Sequence, residues 1–175
     1  MNNQPNVAIV LVNWNRVKDT IECAESILKS DYPNAKIIIC ENGSVDGSWN
    51  DLVKWAKGES DPVEPETEND YLKSLSFPNV PKPLDFATLD ETDQIDQLKP
   101  VNLIKIPQNR GFSGGNNVGL RLALADPSIE YFWVLNNDTV IEKNTLEKYL
   151  RSFDCDRNIG MSGCDLMYYD DPNVI

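Results

Sequence analysis

Short apolar runs alternate along this chain with segments in which apolar residues recur at the spacing of an amphipathic helix. Most of these runs are continuous and rich in β-branched or aromatic residues, which is typical of strands buried on both faces of a parallel sheet, whereas residues 101–106 (VNLIKI) show alternating apolar positions. The predicted strands cover residues 7–12, 36–40, 101–106 and 131–136, with a candidate strand at 159–166. The predicted helices cover residues 20–30 and 48–57, a segment ending near residue 125, and residues 143–153. Because strands and helices alternate, the pattern predicts an α/β fold in which right-handed crossovers join parallel strands.

Residues 58–100 break this alternation. The segment carries eleven of the 28 acidic residues and six of the eleven prolines, and it has no clear hydrophobic period. So long a loop inside a compact domain is either functional or poorly ordered. We therefore expect one domain of 175 residues with an acidic, proline-rich insertion over the edge or rim of its sheet. Its role is either that of a solvated, partly mobile excursion or that of a lid or partner-binding loop.

Polar residues directly follow three of the predicted strands. They are Asn13-Trp14-Asn15, Glu41-Asn42 and Asn136-Asn137-Asp138. In a parallel sheet these ends meet at one edge, and ligands of open α/β sheets bind at that edge. A carboxylate flanked by two amides offers the oxygen ligands that a hard divalent cation prefers, and such a cation often shares them with substrate phosphates. The alternative is an Asn/Asp turn that only ends the strand.

The segment Pro107 to Gly119, PQNRGFSGGNNVG, is predicted to be a loop that leads into a helix. Glycines let backbone approach a ligand closely, and N–H groups at a helix start favour anions. Arg110 adds a cation suited to phosphate. A nucleoside diphosphate fits this layout, with Trp14 beside the base, Glu41 accepting from a base N–H or a ribose hydroxyl, and Asp138 holding a metal on the diphosphate. The alternative is a tight turn before a helix.

Composition and charge exclude several classes of protein. The net charge of −12 argues against nucleic acid as a partner, since phosphate backbones require basic patches. The absence of histidine excludes Ser-His-Asp and Cys-His catalysis and disfavours a zinc site. Cys23 and Cys40 lie in apolar contexts and are expected to be buried. No apolar stretch is long enough to span a membrane, and Met1 to Asn6 is too polar for a signal peptide, so we expect a cytoplasmic protein.

Two other nucleotide-binding motifs are absent from the sequence. A Rossmann dinucleotide site needs GxGxxG directly after the first strand, where this chain has NWNRVKD. The glycine-rich segment after the third predicted strand reads GFSGGNNVG and does not match that fingerprint. The P-loop pattern GxxxxGK[ST] does not occur either. A dehydrogenase domain would therefore lack its glycine signature.

Four motifs resemble, in order, those of family 2 glycosyltransferases, and most closely the bacterial rhamnosyltransferase-like branch: VAIVLVNWN, IIICENGSVDGS, NRGFSGGNNVG and WVLNNDT. The resemblance implies a GT-A-type, Rossmann-like, mostly parallel sheet that is flanked by helices and binds a nucleotide sugar. It also implies that Asp138 is the ligand of Mg²⁺ or Mn²⁺, that Asn136 replaces a first aspartate, and that Glu41 contacts the base. The residues expected to bind the donor are Val12, Asn13, Trp14, Glu41, Asn109, Arg110, Gly111, Gly115, Asn116, Asn136 and Asn137.

The activity implied by the resemblance is inverting, metal-dependent transfer of a sugar in polysaccharide or glycan biosynthesis. The donor would be UDP-, dTDP- or GDP-linked, and the acceptor a hydroxyl of a saccharide or lipid-linked saccharide. A carboxylate base lies well beyond the metal motif in the family, so we expect it beyond Ile175 and expect Asp165, Asp170 and Asp171 to be structural or solvated. The chain would then be the donor-binding half of a longer enzyme, at the inner face of the membrane if the acceptor is lipid-linked. A non-catalytic nucleotide-sugar-binding module is the alternative.

Overall fold

The protein is built around one five-stranded parallel sheet with the strand order β3-β4-β2-β1-β5. The computed structural model describes residues 4–156, 158–169, 171 and 174. The elements are β1 (Asn6–Asn13), α1 (Val17–Leu28), β2 (Ala35–Asn42), α2 (Ser48–Lys57), α3 (Asp70–Ser76), β3 (Phe86–Asp90), β4 (Val101–Ile106), α4 (Gly111–Ala125), β5 (Ile129–Val134) and α5 (Thr145–Cys155). The sequence-based prediction of an α/β fold with parallel strands is confirmed.

Two hydrophobic layers sandwich the sheet because successive side chains of a strand point to opposite faces. On one face, Ile9 and Leu11 of β1 pack with residues of α1, α2 and α5. On the other face, Ala8 and Val10 of β1 pack with α4. Strands β1 and β2 are therefore buried on both faces of the sheet, as their continuous apolar runs predict.

The strand register brings the polar strand ends to one edge of the sheet. Asn13 at the end of β1 lies opposite Glu41 of β2, and Asn42 lies opposite Ile106 at the end of β4. The loops that follow β1, β2, β4 and β5 all leave from this edge, which is hereafter called the C-terminal edge. The prediction that these segments meet there is confirmed.

The acidic insertion contains a helix and a strand, which corrects the expectation of a solvated excursion for these two parts of it. Residues 70–76 form α3, and residues 86–90 form the edge strand β3, which pairs in parallel with β4. Asn69 accepts hydrogen bonds from the backbone N–H groups of Tyr71 and Leu72 and so caps α3. The helix is short and the strand is half-exposed, and therefore neither shows a strong hydrophobic period in the sequence.

A buried ion pair attaches the insertion to α1. The Glu25 carboxylate is fully buried, and its Oε1 lies 2.6 Å from Lys82 Nζ and accepts a hydrogen bond from Trp55 Nε1 at 2.7 Å. Its Oε2 accepts from the Val80 backbone N–H at 2.7 Å. The Lys82 ammonium also lies 5.0 Å from the centre of the Trp55 ring. All these partners stabilise the position of residues 80–82 against α1 and α2.

The edge strand β5 differs from its prediction. Phe132 and Val134 are 41% and 45% exposed, so the expectation that this strand is buried on both faces is wrong. The opposite side is covered by α5, where the Tyr131 and Trp133 rings contact Phe153 and Tyr149 with centroids 5.2 Å apart in each pair. A central strand and an edge strand can have the same apolar run. The position of the strand in the sheet decides whether both of its faces are covered.

Two further predictions need correction, one for the glycine-rich segment and one for the candidate last strand. Helix α4 begins at Gly111, so the glycine-rich segment is helical over most of its length and not a loop. The described residues from 158 to 166 form no strand, and all but Ile159 of them are exposed. Asp165 is exposed as expected, whereas Asp170 lies outside the described residues. In the described part of the chain no helix is both long and apolar enough to cross a bilayer.

The two cysteines predicted to be buried are buried. Cys23 and Cys40 are both inaccessible, while Cys155 and Cys164 are exposed. Burial raises the pKa of the Cys40 thiol to about 12, so this thiol is neutral at physiological pH. These two side chains act as small apolar residues of the core.

Candidate functional site

A chain of hydrogen bonds connects the end of β1 with the loop that follows β5. Thr20 of α1 donates from Oγ1 to Asn13 Oδ1 at 2.8 Å and accepts from Asn137 Nδ2 at 2.9 Å. Asn13 and Thr20 are completely buried. The contact brings two predicted donor-site residues together through a residue that the sequence analysis did not select.

The Ser44 hydroxyl joins the ends of β1 and β2 in the same way. It accepts hydrogen bonds from Asn13 Nδ2 at 3.3 Å and from the Asn15 backbone N–H at 2.9 Å. The Ser44 backbone N–H donates to Glu41 Oε1 at 2.8 Å, and Glu41 is only 3% exposed. Glu41 therefore holds the turn after β2, and its contact with a base stays a prediction.

Trp14 lies at the same edge and is the large apolar surface there. Its side chain is 53% exposed, between the buried Asn13 and the turn residue Asn15. Asn15 has a positive φ of 53°, a conformation that asparagine tolerates better than most residues, and its Oδ1 accepts from the Val45 N–H at 3.1 Å. The turn thereby presents the indole to solvent, where a planar base can stack on it.

Asn42 connects β2 to the start of α4. Its Nδ2 donates to Asn109 Oδ1 at 3.1 Å and to the Gly111 carbonyl at 3.2 Å, and its Oδ1 accepts from the Arg110 N–H at 3.0 Å. Asn109 Oδ1 also accepts from the Gly111 N–H at 2.7 Å. These bonds start the helix at Gly111, which is why the segment predicted to be a loop is helical.

Close packing against the sheet explains Gly115 better than ligand contact does. A Cβ at this position would lie 2.8 Å from Val12 Cγ1 and 3.3 Å from Asn42 Cγ. The predicted donor residues Val12 and Gly115 therefore contact each other in the packing between β1 and α4. The glycine allows the first turns of α4 to approach the C-terminal edge.

Asn116 lies in α4 and not in a loop before it. It is 5% exposed, and its Nδ2 donates to the Phe112 carbonyl at 3.0 Å. Its Oδ1 is buried and has no hydrogen-bond partner among the described residues. An unpaired buried acceptor costs free energy, and because this oxygen is closed off from solvent, a ligand would reach it only after a local rearrangement.

Arg110 is not a free cation in this structure. Its guanidinium donates to Glu91 Oε1 at 2.8 Å, and the Arg110 side chain is 40% exposed. The pair lies in a groove of about 520 Å³ between residues 90–96 and α4. A phosphate contact by Arg110 would therefore require this ion pair to open or to share its cation, and the predicted contact remains untested.

The loop after β5 presents a free carboxylate. Asn136 and Asp138 are exposed, Asn137 is half-buried, and Asp138 has no hydrogen-bond or ion-pair partner among the described residues. Burial raises the pKa of the neighbouring Cys23 thiol, and the Asp138 charge raises it further. Asp138 is thus held close to α1 while its own carboxylate points to no protein partner.

The donor atoms of this loop suit a divalent cation that is bound together with a phosphate ligand. No group of three or more His, Cys, Asp or Glu side chains able to hold a metal occurs among the residues that the structure describes. A magnesium-type ion usually takes one or two carboxylates from the protein and its remaining ligands from substrate phosphates and water. The Asp138 carboxylate and the Asn136 amide fit that kind of site and do not form an all-protein cage.

Two residues that hold the site together were not predicted from the sequence. Thr20 and Ser44, together with the predicted strand-end residue Asn42, make most of the side-chain hydrogen bonds between the strand ends. One signal was available, because Thr20 is a polar residue next to Ile21 on the helix face that packs on the sheet. A polar residue on a buried face needs a hydrogen-bond partner, and the nearest strand end supplies it.

Comparison with known proteins identifies the family. The model of the family described as "Glycosyl transferase family 2" matches residues 85–173, which is slightly more than half of the chain. The chain belongs to glycosyl transferase family 2. The matched part contains Asn116 and Asp138, whereas Asn13 and Glu41 precede it.

Two similar proteins extend the family 2 comparison. The putative colanic acid biosynthesis glycosyl transferase WcaA of Escherichia coli (strain K12) is 33% identical over 70 residues, which are 40% of this chain and 24% of that protein. The crystal structure of S. aureus TarS 1-349 superposes with a TM-score of 0.53 and 15% identity over 94% of this chain and 40% of that chain. The second match confirms the GT-A-type fold. The family 2 chain described here spans less than half the length of either protein.

Proposed function

We propose that this family 2 chain binds a nucleotide sugar at the C-terminal edge of its sheet and supplies the donor site of a glycosyltransferase. The observation that carries the proposal is the hydrogen-bonded junction of Asn13, Thr20 and Asn137, which fixes three segments of the edge and leaves the Asp138 carboxylate unpaired. Ligands of open α/β sheets bind at this edge, and an ordered loop that presents a carboxylate there supports a ligand that uses it.

The parts of the edge divide between the base, the sugar and the diphosphate. The exposed Trp14 indole stacks on the base. The first turn of α4 contains no acidic residue and no side-chain cap from Arg110, so its N–H groups favour an anion. These features together support a nucleoside diphosphate with a sugar attached.

Asp138 and Asn136 are the residues that would hold a Mg²⁺ or Mn²⁺ ion on the diphosphate. When bound, such an ion neutralises the charge that develops on the departing nucleoside diphosphate. The protein's own contribution is to fix the position of the carboxylate through the contacts of Asn137 with α1. The net charge of −12 gives a further reason for a cation, because an anionic ligand has to approach an acidic protein.

We further propose that transfer is inverting, with direct attack of an acceptor hydroxyl on the anomeric carbon. A carboxylate base would take the proton of the attacking hydroxyl while the bond from the anomeric carbon to the nucleoside diphosphate breaks. Colanic acid biosynthesis, named for the E. coli relative, supports a saccharide or lipid-linked saccharide as the acceptor and a polysaccharide as the product.

Replacement of the proposed metal ligand tests this function directly. In Asp138→Asn we expect the Mn²⁺-dependent part of nucleoside diphosphate binding to fall by about tenfold or more, equivalent to about 1.4 kcal/mol, because the proposed carboxylate ligand is lost. Binding of UDP, dTDP and GDP would be measured by calorimetry with Mn²⁺ and with a chelator.

The matched control is Asp154→Asn, which removes an exposed carboxylate of α5 away from the edge. It changes the net charge by the same amount and should leave binding as in the unmodified chain. Equal affinity of the Asp138→Asn variant and the unmodified chain in the presence of Mn²⁺ would contradict a metal-dependent donor site.

A further inference from the structure

A stripe of polar residues on α1 holds the loop that contains Asp138. Thr20, Cys23 and Ser26 are spaced by three residues and therefore lie along one side of the helix. All three are buried, and the two hydroxyl groups cost free energy there unless they are hydrogen-bonded. Their presence on the buried face of a helix needs an explanation, and their contacts with the loop after β5 provide one.

Each member of the stripe contacts a different point of that loop. Thr20 accepts from Asn137 Nδ2 at 2.9 Å, the Cys23 thiol donates to the Asn136 carbonyl at 3.7 Å, and the Ser26 hydroxyl accepts from the Ile141 N–H at 3.1 Å. Residues 136–141 are thus attached to α1 on both sides of Asp138. The backbone on which the carboxylate is mounted is fixed, while the carboxylate itself stays exposed.

Thr20 differs from the other two members because it also contacts the nucleoside side of the edge. Its hydroxyl has one proton, and the nearer of its two acceptors is Asn13 Oδ1 at 2.8 Å, compared with 3.0 Å for the Arg16 carbonyl. Asn13 in turn donates to Ser44, which also binds the N–H of the residue after Trp14. One buried hydroxyl therefore connects the Trp14 turn to the Asp138 loop.

We infer that Thr20 is a positioning residue that sets the distance between the nucleoside pocket at Trp14 and the metal-binding carboxylate of Asp138. The inference rests on the proposed donor site. A nucleoside diphosphate spans these two points, so it gains from both only if the edge presents them in a fixed arrangement. Groups that orient metal ligands in this way typically change metal affinity by about tenfold or more when they are removed.

The test compares Thr20→Val with Thr20→Ser. Valine has the shape of threonine and lacks the hydroxyl, whereas serine keeps it. In Thr20→Val we expect the Mn²⁺-dependent gain in affinity for UDP, dTDP or GDP to fall about tenfold, with a much smaller change in binding measured in chelator. Thr20→Ser should keep the Mn²⁺-dependent gain in affinity that the unmodified chain shows. A merely structural role would weaken binding equally with and without the metal, and that result would overturn the inference.

A second variant and a second readout guard against a folding defect, because valine removes the Thr20 donor from the buried Asn13 Oδ1. Asn137→Ala removes the loop half of the same contact and leaves the Thr20 to Asn13 bond in place, so it should lose the same metal-dependent gain. Without metal or nucleotide, the backbone amides of residues 137–140 should exchange with solvent several-fold faster in Thr20→Val and Asn137→Ala than in Thr20→Ser. Unchanged exchange in both variants would contradict a positioning role.

These outcomes separate the inference from the proposed function. If the unmodified chain shows a cooperative thermal transition and binds none of the three nucleotides with Mn²⁺, the donor site itself is wrong. If the unmodified chain binds and both variants retain its metal-dependent gain, the donor site stands and the role of Thr20 is wrong.

Discussion

Lys82→Met should destabilise the protein by about 3–5 kcal/mol, because it removes the cation from a carboxylate that has no access to water. Glu25 is fully buried, and Lys82 Nζ lies 2.6 Å from its Oε1. Trp55 and Val80 still donate hydrogen bonds to the carboxylate, but neither neutralises its charge. Such a loss is a large part of the free energy of unfolding of a typical domain, which is about 5–15 kcal/mol. Urea denaturation followed by tryptophan fluorescence would measure it.

The chain contains a control for this prediction. Lys18 and Glu66 also form an ion pair between α1 and the insertion, with an N to O distance of 3.5 Å, but their side chains are 75% and 87% exposed. Lys18→Met should therefore cost less than about 1 kcal/mol. Similar losses in the two variants would show that burial of Glu25 does not decide the effect, and would contradict the view that residues 80–82 are firmly attached to α1.

Gly43→Ala should both destabilise the fold and weaken nucleotide binding. Gly43 has a φ of +71°, and a Cβ there would lie 2.5 Å from Asn109 N and from the Gln108 carbonyl carbon. The positive φ costs about 1–2 kcal/mol for an L-residue and the overlap about 1–3 kcal/mol more. Because the overlapping atoms belong to the backbone, residues 108–109 must move, and the bonds of Asn42 to Asn109 and Arg110 move with them.

Gly47→Ala isolates the conformational part of this effect. Gly47 has a φ of +92°, and nothing lies within 4 Å of a Cβ built on it. We expect a loss of about 1–2 kcal/mol and no change in nucleotide affinity for this variant. Thermal and urea unfolding, with calorimetric titration of each variant, would separate the two. A Gly43→Ala protein with the stability and the affinity of Gly47→Ala would contradict the close approach of the β2 turn to the start of α4.

The central part of the fold follows directly from the sequence. Residues 37–40 are apolar without interruption because β2 has a neighbour on both sides and a layer of helices on both faces. The same kind of run in β5 led to the same prediction and was wrong, because β5 is an edge strand and Phe132 and Val134 remain exposed. Periodicity reports the local preference of a segment, whereas its place in the sheet depends on distant residues.

The insertion was the hardest segment to predict for a related reason. Helix α3 has only seven residues, and what fixes the segment is the buried Glu25 carboxylate, more than fifty residues away from Val80 and Lys82 in the chain. Lys29 Nζ adds hydrogen bonds to the Ser74 and Phe77 carbonyls. Contacts of this range leave no periodic signal in the sequence, so a polar, proline-rich segment looks like a solvated loop.

The sequence predicted which strand ends form the candidate site, but it did not predict the hydrogen bonds that connect them. The strand ends with Asn13, Glu41 and Asn137 were expected to meet, and the register of the sheet brings them together. Thr20 and Ser44, which connect them, are ordinary polar residues until the fold is known. Arg110 was expected to be available for phosphate, but its pairing with Glu91 depends on a part of the insertion whose position the sequence does not reveal.

Calorimetric titration of the unmodified chain with UDP, dTDP and GDP, with Mn²⁺ and with a chelator, tests the donor site most directly. At one edge of the sheet the structure places the exposed indole of Trp14 and the exposed carboxylate of Asp138, which has no partner among the described residues. We predict that at least one of the three nucleotides binds with Mn²⁺ and binds about tenfold or more weakly with the chelator. A cooperatively folded chain that binds none of them, or binds them equally well without metal, would contradict the account.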